Sequence, residues 1–122
     1  MKLLTERDRQ RLLANGALRA ALLRDHPEGD VEADFLPVVK LFTPDAGCTW
    51  LLSEIDPEDP DIAFGLCDLG MGYPELGNVS LSELASVRGR LGLPIERDLH
   101  FAPAKPLSAY AEEARAHGRI VA

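Results

Sequence analysis

The sequence is short of the residues that build most metal and catalytic sites. Its 122 residues include two cysteines, Cys48 and Cys67, and three scattered histidines, His26, His100 and His117. There is no CxxC spacing and no paired-histidine motif, whereas a structural zinc site needs about four nitrogen or sulfur ligands. Both cysteines therefore read as small, buried, reduced side chains. No apolar run approaches the roughly 20 residues of a membrane span. The opening MKLLTERDRQ has no apolar signal core ahead of its first charges, so secretion is not expected. Basic residues are outnumbered, thirteen against twenty acidic, and the net charge of −7 argues against a nucleic-acid coat driven by bulk charge. The loop Gly70-Met71-Gly72-Tyr73 holds a bare GxG. It lacks the strand–GxGxxG–helix setting of a dinucleotide site, and no Walker lysine follows. With no GxSxG elbow and no Cys-His pair, nucleophilic hydrolysis has no support either.

What remains is ordinary globular material: 46% hydrophobic and 27% charged residues. Length and composition suit one acidic, cytoplasmic domain over residues 1–122, with neither membrane nor disulfide. Thr5 followed by Asp8 resembles a capping box, and Leu12, Leu13, Ala17, Leu18, Ala21 and Leu22 recur at helical spacing. Asn15-Gly16 interrupts that stripe, so residues 1–25 read as two short helices or one long one. His26-Pro27-Glu28-Gly29-Asp30 ends the helical region and opens an acidic loop over 26–35.

Residues 36–102 read as a sheet region. The runs 37–43, 48–56 and 62–69 are short and bounded by Pro, Gly and Asp, which favours antiparallel neighbours. The turn Pro57-Glu58-Asp59-Pro60 sets Trp50 opposite Cys67, Leu51 opposite Leu66 and Ile55 opposite Ile62. One face then carries Leu51, Ile55, Ile62, Phe64 and Leu66. The other carries Trp50, Leu52, Glu54, Ala63, Gly65 and Cys67. Symmetric closure of the first hairpin at Asp45-Ala46-Gly47 brings Phe42 beside Trp50 and Lys40 near Glu54; a one-residue slip would swap the faces. A short strand at 76–79 leads into Ser80-Leu81-Ser82-Glu83, a capping box that opens a helix through about Val87. The run 94–101 alternates as a last strand, and Ser108 caps a terminal helix ending at Gly118 within the segment 103–122. The fold class expected is α+β: N-terminal helices packed on a small, mainly antiparallel sheet, a short helix before the last strand, and a C-terminal helix.

Several local motifs are shared with a known group of sequences. They are FTPD at 42–45, Trp50, the E-x-D of Glu54 and Asp56, PELG at 74–77, SLSEL at 80–84 and LPIERDLHF at 93–101. On these, roughly residues 37–113, together with MKLLT and LLANG near the start, resemble the bacterial family catalogued as domain of unknown function 2958. Members of that family are common on plasmids and other mobile elements, and some carry a label of single-stranded DNA endonuclease. The resemblance implies a mobile-element protein and transfers no catalytic residue.

Three sets of residues are candidates for chemistry. Glu54/Asp56 and Glu96/Asp98 are both E-x-D, and i,i+2 spacing on a strand points both side chains to one face. His100 extends the second set, and Asp68 and Glu75 lie at strand ends. Two or three such carboxylates, if convergent, would hold Mg²⁺ for a nuclease; if not, they form a solvated sheet face. Phe42, Trp50 and Tyr73 would make either a stacking platform for bases or core packing. Arg97 stands on the apolar face of Ile95, Leu99 and Phe101, so its charge must be paired, with Glu83 the leading partner, or must serve an anion in a cleft. The reading these support is a non-catalytic accessory or regulatory protein that needs no cofactor or metal, has a protein partner, and binds nucleic acid weakly or not at all. The alternatives are a Mg²⁺-dependent single-stranded DNA endonuclease using Glu54, Asp56, Glu96, Asp98 and His100, and an acidic anti-restriction DNA mimic. Under the interaction reading, Phe42, Trp50, Tyr73, Glu75 and Arg97 are the binding candidates.

Overall fold

A computed structural model describes residues 2–29 and 33–122. The fold is α+β. Helix α1 spans Glu6–Asp25, and strands β1 (Val39–Phe42), β2 (Thr49–Asp56), β3 (Asp59–Asp68) and β4 (Glu75–Ser80) follow. Helix α2 (Leu81–Ser86), strand β5 (Glu96–Arg97) and helix α3 (Leu107–His117) complete the order. The five strands form one antiparallel sheet in the order β4-β3-β2-β1-β5, so β4 and β5 are its edges.

Both faces of this sheet are covered. Leu12 of α1 and Leu81 and Leu84 of α2 pack with Val39, Leu41, Trp50, Leu52, Ile55 and Ala63. On the other face Leu107, Tyr110, Ala111 and Ala114 of α3 pack with Leu51 and Leu66. Each fully buried leucine or isoleucine in these clusters contributes about 1.5–3 kcal/mol of transfer free energy.

The N-terminal stripe is one helix, not two. Thr5 and Asp8 close a full capping box, and the helix runs unbroken through Asn15-Gly16. The glycine marks a close approach instead of a break. A Cβ on Gly16 would lie 1.8 Å from the Ile55 carbonyl oxygen, so only glycine lets α1 press onto the end of β2. Pairing of β1 with β2 stops at Leu52; beyond it, Asn15 Nδ2 donates to the Ser53 carbonyl at 2.9 Å. The helix thus supplies the polar partner that the sheet no longer provides.

Register is where expectation and structure part. Trp50 opposes Cys67, Leu51 opposes Leu66 and Leu52 opposes Gly65, as the spacing predicts. A bulge at Ser53 then shifts the ladder, so that Glu54 opposes Phe64 and Ile55 opposes Ala63. Glu54 and Ile55 have exchanged faces relative to strict alternation, because the extra residue reverses the side-chain direction once. The first hairpin is also one residue out. Thr43 N–H donates to the Cys48 carbonyl, which pairs Leu41 with Trp50, Phe42 with Thr49 and Lys40 with Leu51.

The expected strand at 94–101 shrinks to Glu96–Arg97. Asp98 accepts the His100 N–H at 2.9 Å and turns the chain away from the sheet, leaving Leu99 exposed. Pro106, not Ser108, occupies the cap of α3; Ser108 hydrogen-bonds the Asp34 carboxylate. Of the acidic loop expected at 26–35, residues 30–32 lie outside those described. The cysteines are free and half-buried instead of fully buried. Burial nevertheless pushes the Cys67 thiol up to about 11.

Candidate functional site

The carboxylates singled out by spacing do not meet. Among the described residues, no three His, Cys, Asp or Glu side chains are grouped so as to hold a metal ion. Most have local work instead. Asp56 is exposed and accepts the Glu58 N–H at 2.9 Å, shaping the β2–β3 turn. Asp68 is buried at the end of β3, where one oxygen accepts from Gly70 N–H and the other from Ile120 N–H. Asp98 sits 3.4 Å from Lys40 Nζ. The His100 N–H, foremost, outweighs desolvation and, with a lesser contribution from that ammonium, holds its carboxyl below its ordinary value. Glu75 and His100 are exposed, and Glu96 opposes Phe42 at the other edge.

The aromatic trio is likewise dispersed. Trp50 is buried in the α1-side core, Phe42 lies half-buried on the opposite face, and Tyr73 stands 81% exposed in the β3–β4 connection. The one-residue difference in the first hairpin separates Phe42 from Trp50. No stacking platform exists from these three.

Arg97 is paired, but not with Glu83. One guanidinium nitrogen donates to the carbonyls of Lys2 and Leu3 at 2.8 and 3.2 Å, and Nε lies 4.0 Å from Asp8. It therefore pins the segment before α1 to the edge strand β5. Glu83 is exposed on α2, with its backbone N–H bound to Ser80 Oγ. The start of α2 is organised by Asp61 of β3, which accepts from Ser80 Oγ, Ser82 N and Ser82 Oγ. These bonds, the Ser80 hydroxyl foremost, hold the Asp61 carboxyl below its ordinary value. Arg97 also lines an open groove of about 830 Å³ in which Lys2, Arg9 and Arg88 face Glu6 and Asp61. Sequence reading expected no basic groove; these four cations are brought together only by the fold.

Three arrangements go beyond what the sequence pattern connects. Asp45 of the FTPD motif inserts into the 89–93 loop, where Oδ2 accepts from Leu91 N–H at 2.7 Å and Leu93 N–H at 3.2 Å. A Cβ on Gly89 would overlap the Asp45 carboxylate, so that glycine makes the insertion possible. Arg19 is the partner of Glu54, at 2.6 Å, and its guanidinium lies between the rings of Phe35 and Phe64. The third is a surface. Leu69, Met71, Tyr73 and Leu76 are all exposed within eight residues, at the turn that leads into the edge strand β4. The only signal in the sequence was large apolar residues alternating with Gly70 and Gly72, in a loop where polar residues are usual.

A family model described as "Protein of unknown function (DUF2958)" matches residues 3–121, and the chain belongs to that family. No curated protein and no solved structure matches it.

Proposed function

We propose that this family member, whose family description assigns it no activity, works by binding a protein partner as a small accessory or regulatory component of a mobile element in the cytoplasm. The observation that carries the reading is the surface formed by Leu69, Met71, Tyr73 and Leu76 beside the free edge of β4. Natural edge strands are commonly blunted by lysine, proline or a bulge. The segment Glu75-Leu76-Gly77-Asn78-Val79-Ser80 contains neither lysine nor proline, and its register with β3 is unbroken. A partner segment in extended conformation would pair its backbone with β4 and cover Met71 and Tyr73. In support, the buried carboxylates Asp68 and Glu54 and the turn carboxylates Asp56 and Asp98 serve structural contacts. This reading requires no cofactor and little affinity for nucleic acid.

The test is capture from a native host with tagged protein, wild type against Met71→Ser/Tyr73→Ser. Both positions are exposed, so the melting temperature should stay within about 2 °C of wild type, as for surface changes generally. A protein retained by wild type and lost by the double variant supports the reading. Mg²⁺-dependent cleavage of single-stranded DNA by the purified protein, abolished by Glu96→Gln/Asp98→Asn, would replace it with the endonuclease alternative.

A further inference from the structure

Alternation places Arg97 among apolar residues, and the fold uses only part of its donor set. Nη1 donates to the Lys2 and Leu3 carbonyls, while Nη2 makes no hydrogen bond among the described residues. Arg88 repeats the arrangement, with Nη1 donating to the Ala85 and Val87 carbonyls at 3.1 and 2.8 Å. Each guanidinium is thus fixed through one nitrogen and keeps others uncommitted, so a ligand that bound them would cost little side-chain freedom. Arg9 is half-buried, and among the described residues its guanidinium has neither a hydrogen bond nor an ion pair. A half-buried charge without a counter-charge is unfavourable. These three arginines and Lys2 line the open groove of about 830 Å³, a volume within the range of small-ligand sites. Leu4, Leu81 and Ile95 give it an apolar lining. Its two carboxylates are already engaged, Glu6 with Gln10 Nε2 at 2.8 Å and Asp61 with Ser80 and Ser82. Four cations against two carboxylates leave an excess of two positive charges, in a chain whose net charge is −7.

We propose that this groove binds a dianion, a phosphate monoester on a short aliphatic stem, with Arg9 as the counter-charge that has no other partner. The uncommitted nitrogens of Arg88 and Arg97 donate to the phosphate, and the stem lies on Leu4, Leu81 and Ile95. Two negative charges match the excess in the groove, and three terminal oxygens suit several guanidinium donors at once. A carboxylate brings one charge and two oxygens. Among the described residues no aromatic side chain lines the groove, so a nucleobase has nothing to stack on, which favours an aliphatic ester over a single-stranded nucleic acid. The acidic remainder of the chain repels anions and leaves this groove as their point of approach. The same dianion is presented by a small phosphate ester and by a phosphoserine side chain of a protein. This inference does not depend on whether β4 pairs with a partner.

The experiment is an NMR titration of the full chain at low salt and above neutral pH, where a phosphate monoester carries close to two charges. The probes are n-butyl phosphate and a short acetylated phosphoserine peptide, with butyrate as the monoanion and n-butanol as the neutral control. Saturable amide shifts at Leu4, Ser82 and Ile95 are expected with butyl phosphate, half-saturating near about 1 mM, as suits so small a ligand. Butyrate should bind about tenfold more weakly, and butanol should give no shift. Arg9→Gln removes a side chain with no polar partner, so its melting temperature should stay within about 2 °C of wild type. The same change should weaken butyl phosphate about three- to tenfold, and Arg9→Glu should abolish the response. A peptide that binds more tightly than butyl phosphate assigns the group to a protein phosphoserine; the reverse order assigns it to a free ester. Absence of a saturable shift with both dianions, an equal response to butyrate or butanol, or unchanged affinity in Arg9→Gln overturns the proposal. An oligothymidylate that shifts these amides at lower concentration than butyl phosphate also overturns it, in favour of a phosphodiester track.

Discussion

Gly16→Ala reverses its usual sign in this protein. Inside an exposed helix, replacing glycine by alanine gains about 1 kcal/mol, because glycine loses more backbone freedom on folding. Here the added methyl would sit 1.8 Å from the Ile55 carbonyl oxygen and 3.0 Å from its carbon, where ordinary contact begins at 3.4 Å. Relief requires α1 to lift from β2 by roughly 1.5 Å, since close-packed neighbours cannot absorb the overlap. Lifting would lengthen the 2.9 Å bond from Asn15 to the Ser53 carbonyl and loosen Leu12, which is fully buried one turn away. Overpacking of this kind costs about 1–3 kcal/mol, and a weakened buried hydrogen bond about 1 kcal/mol more. The net expectation is a loss of about 1–3 kcal/mol after the helical gain, or about 4–15 °C in melting temperature for a domain of this size. Urea denaturation followed by circular dichroism measures it, with Ala17→Gly, on the exposed side of the same turn, as the propensity control. A Gly16→Ala variant as stable as wild type or more so would refute the close-approach account of this glycine.

Arg97→Met should destabilise by about 1–3 kcal/mol, the worth of charged hydrogen bonds to the Lys2 and Leu3 carbonyls, and Glu83→Gln should rescue none of it; recovery in the double variant would restore the pairing expected from sequence. Asp61→Ala should speed amide exchange at Ser82, Glu83 and Leu84 by releasing the caps on α2, and unchanged exchange would deny Asp61 that role. The Asp61 contribution is present above the ordinary carboxylate range and is lost as pH falls through its lowered folded value. Cys67 should resist iodoacetamide at pH 8, where a thiol titrating at about 11 is only about one part in a thousand thiolate. Its stability effect has the opposite direction: above about pH 9 the unfolded thiol ionises while the folded one stays protonated, so stability falls as pH rises towards 11. Rapid labelling of folded protein would contradict its burial.

The parts of this fold legible in the sequence are those governed by local periodicity and turn chemistry. The α+β class, the Trp50–Cys67 and Leu51–Leu66 pairs, the short helix after Ser80 and the stop at Gly118 all follow from spacing. A bulge at Ser53 does not, because one inserted residue leaves the run Trp-Leu-Leu-Ser-Glu-Ile looking like continuous alternation. That single residue moved Glu54 onto the face of Phe64 and within reach of Arg19. Gly16 was ambiguous for a related reason: a break and a close approach leave the same letter, and only the strand beneath distinguishes them. Arg97 needed a partner on electrostatic grounds, but its partners lie at the far end of the chain, where no pattern connects them. The exposed turn at 69–76 was visible as composition, yet only the strand order shows that it adjoins a free sheet edge.

The central claim, that the protein acts through the surface beside β4, is tested most directly by site-specific photo-cross-linking in the native host. A benzophenone side chain at Tyr73 should form a covalent adduct with one protein, while the same group at Arg7, exposed on the first turn of α1, should not. An adduct at Arg7 and none at Tyr73 would contradict the account.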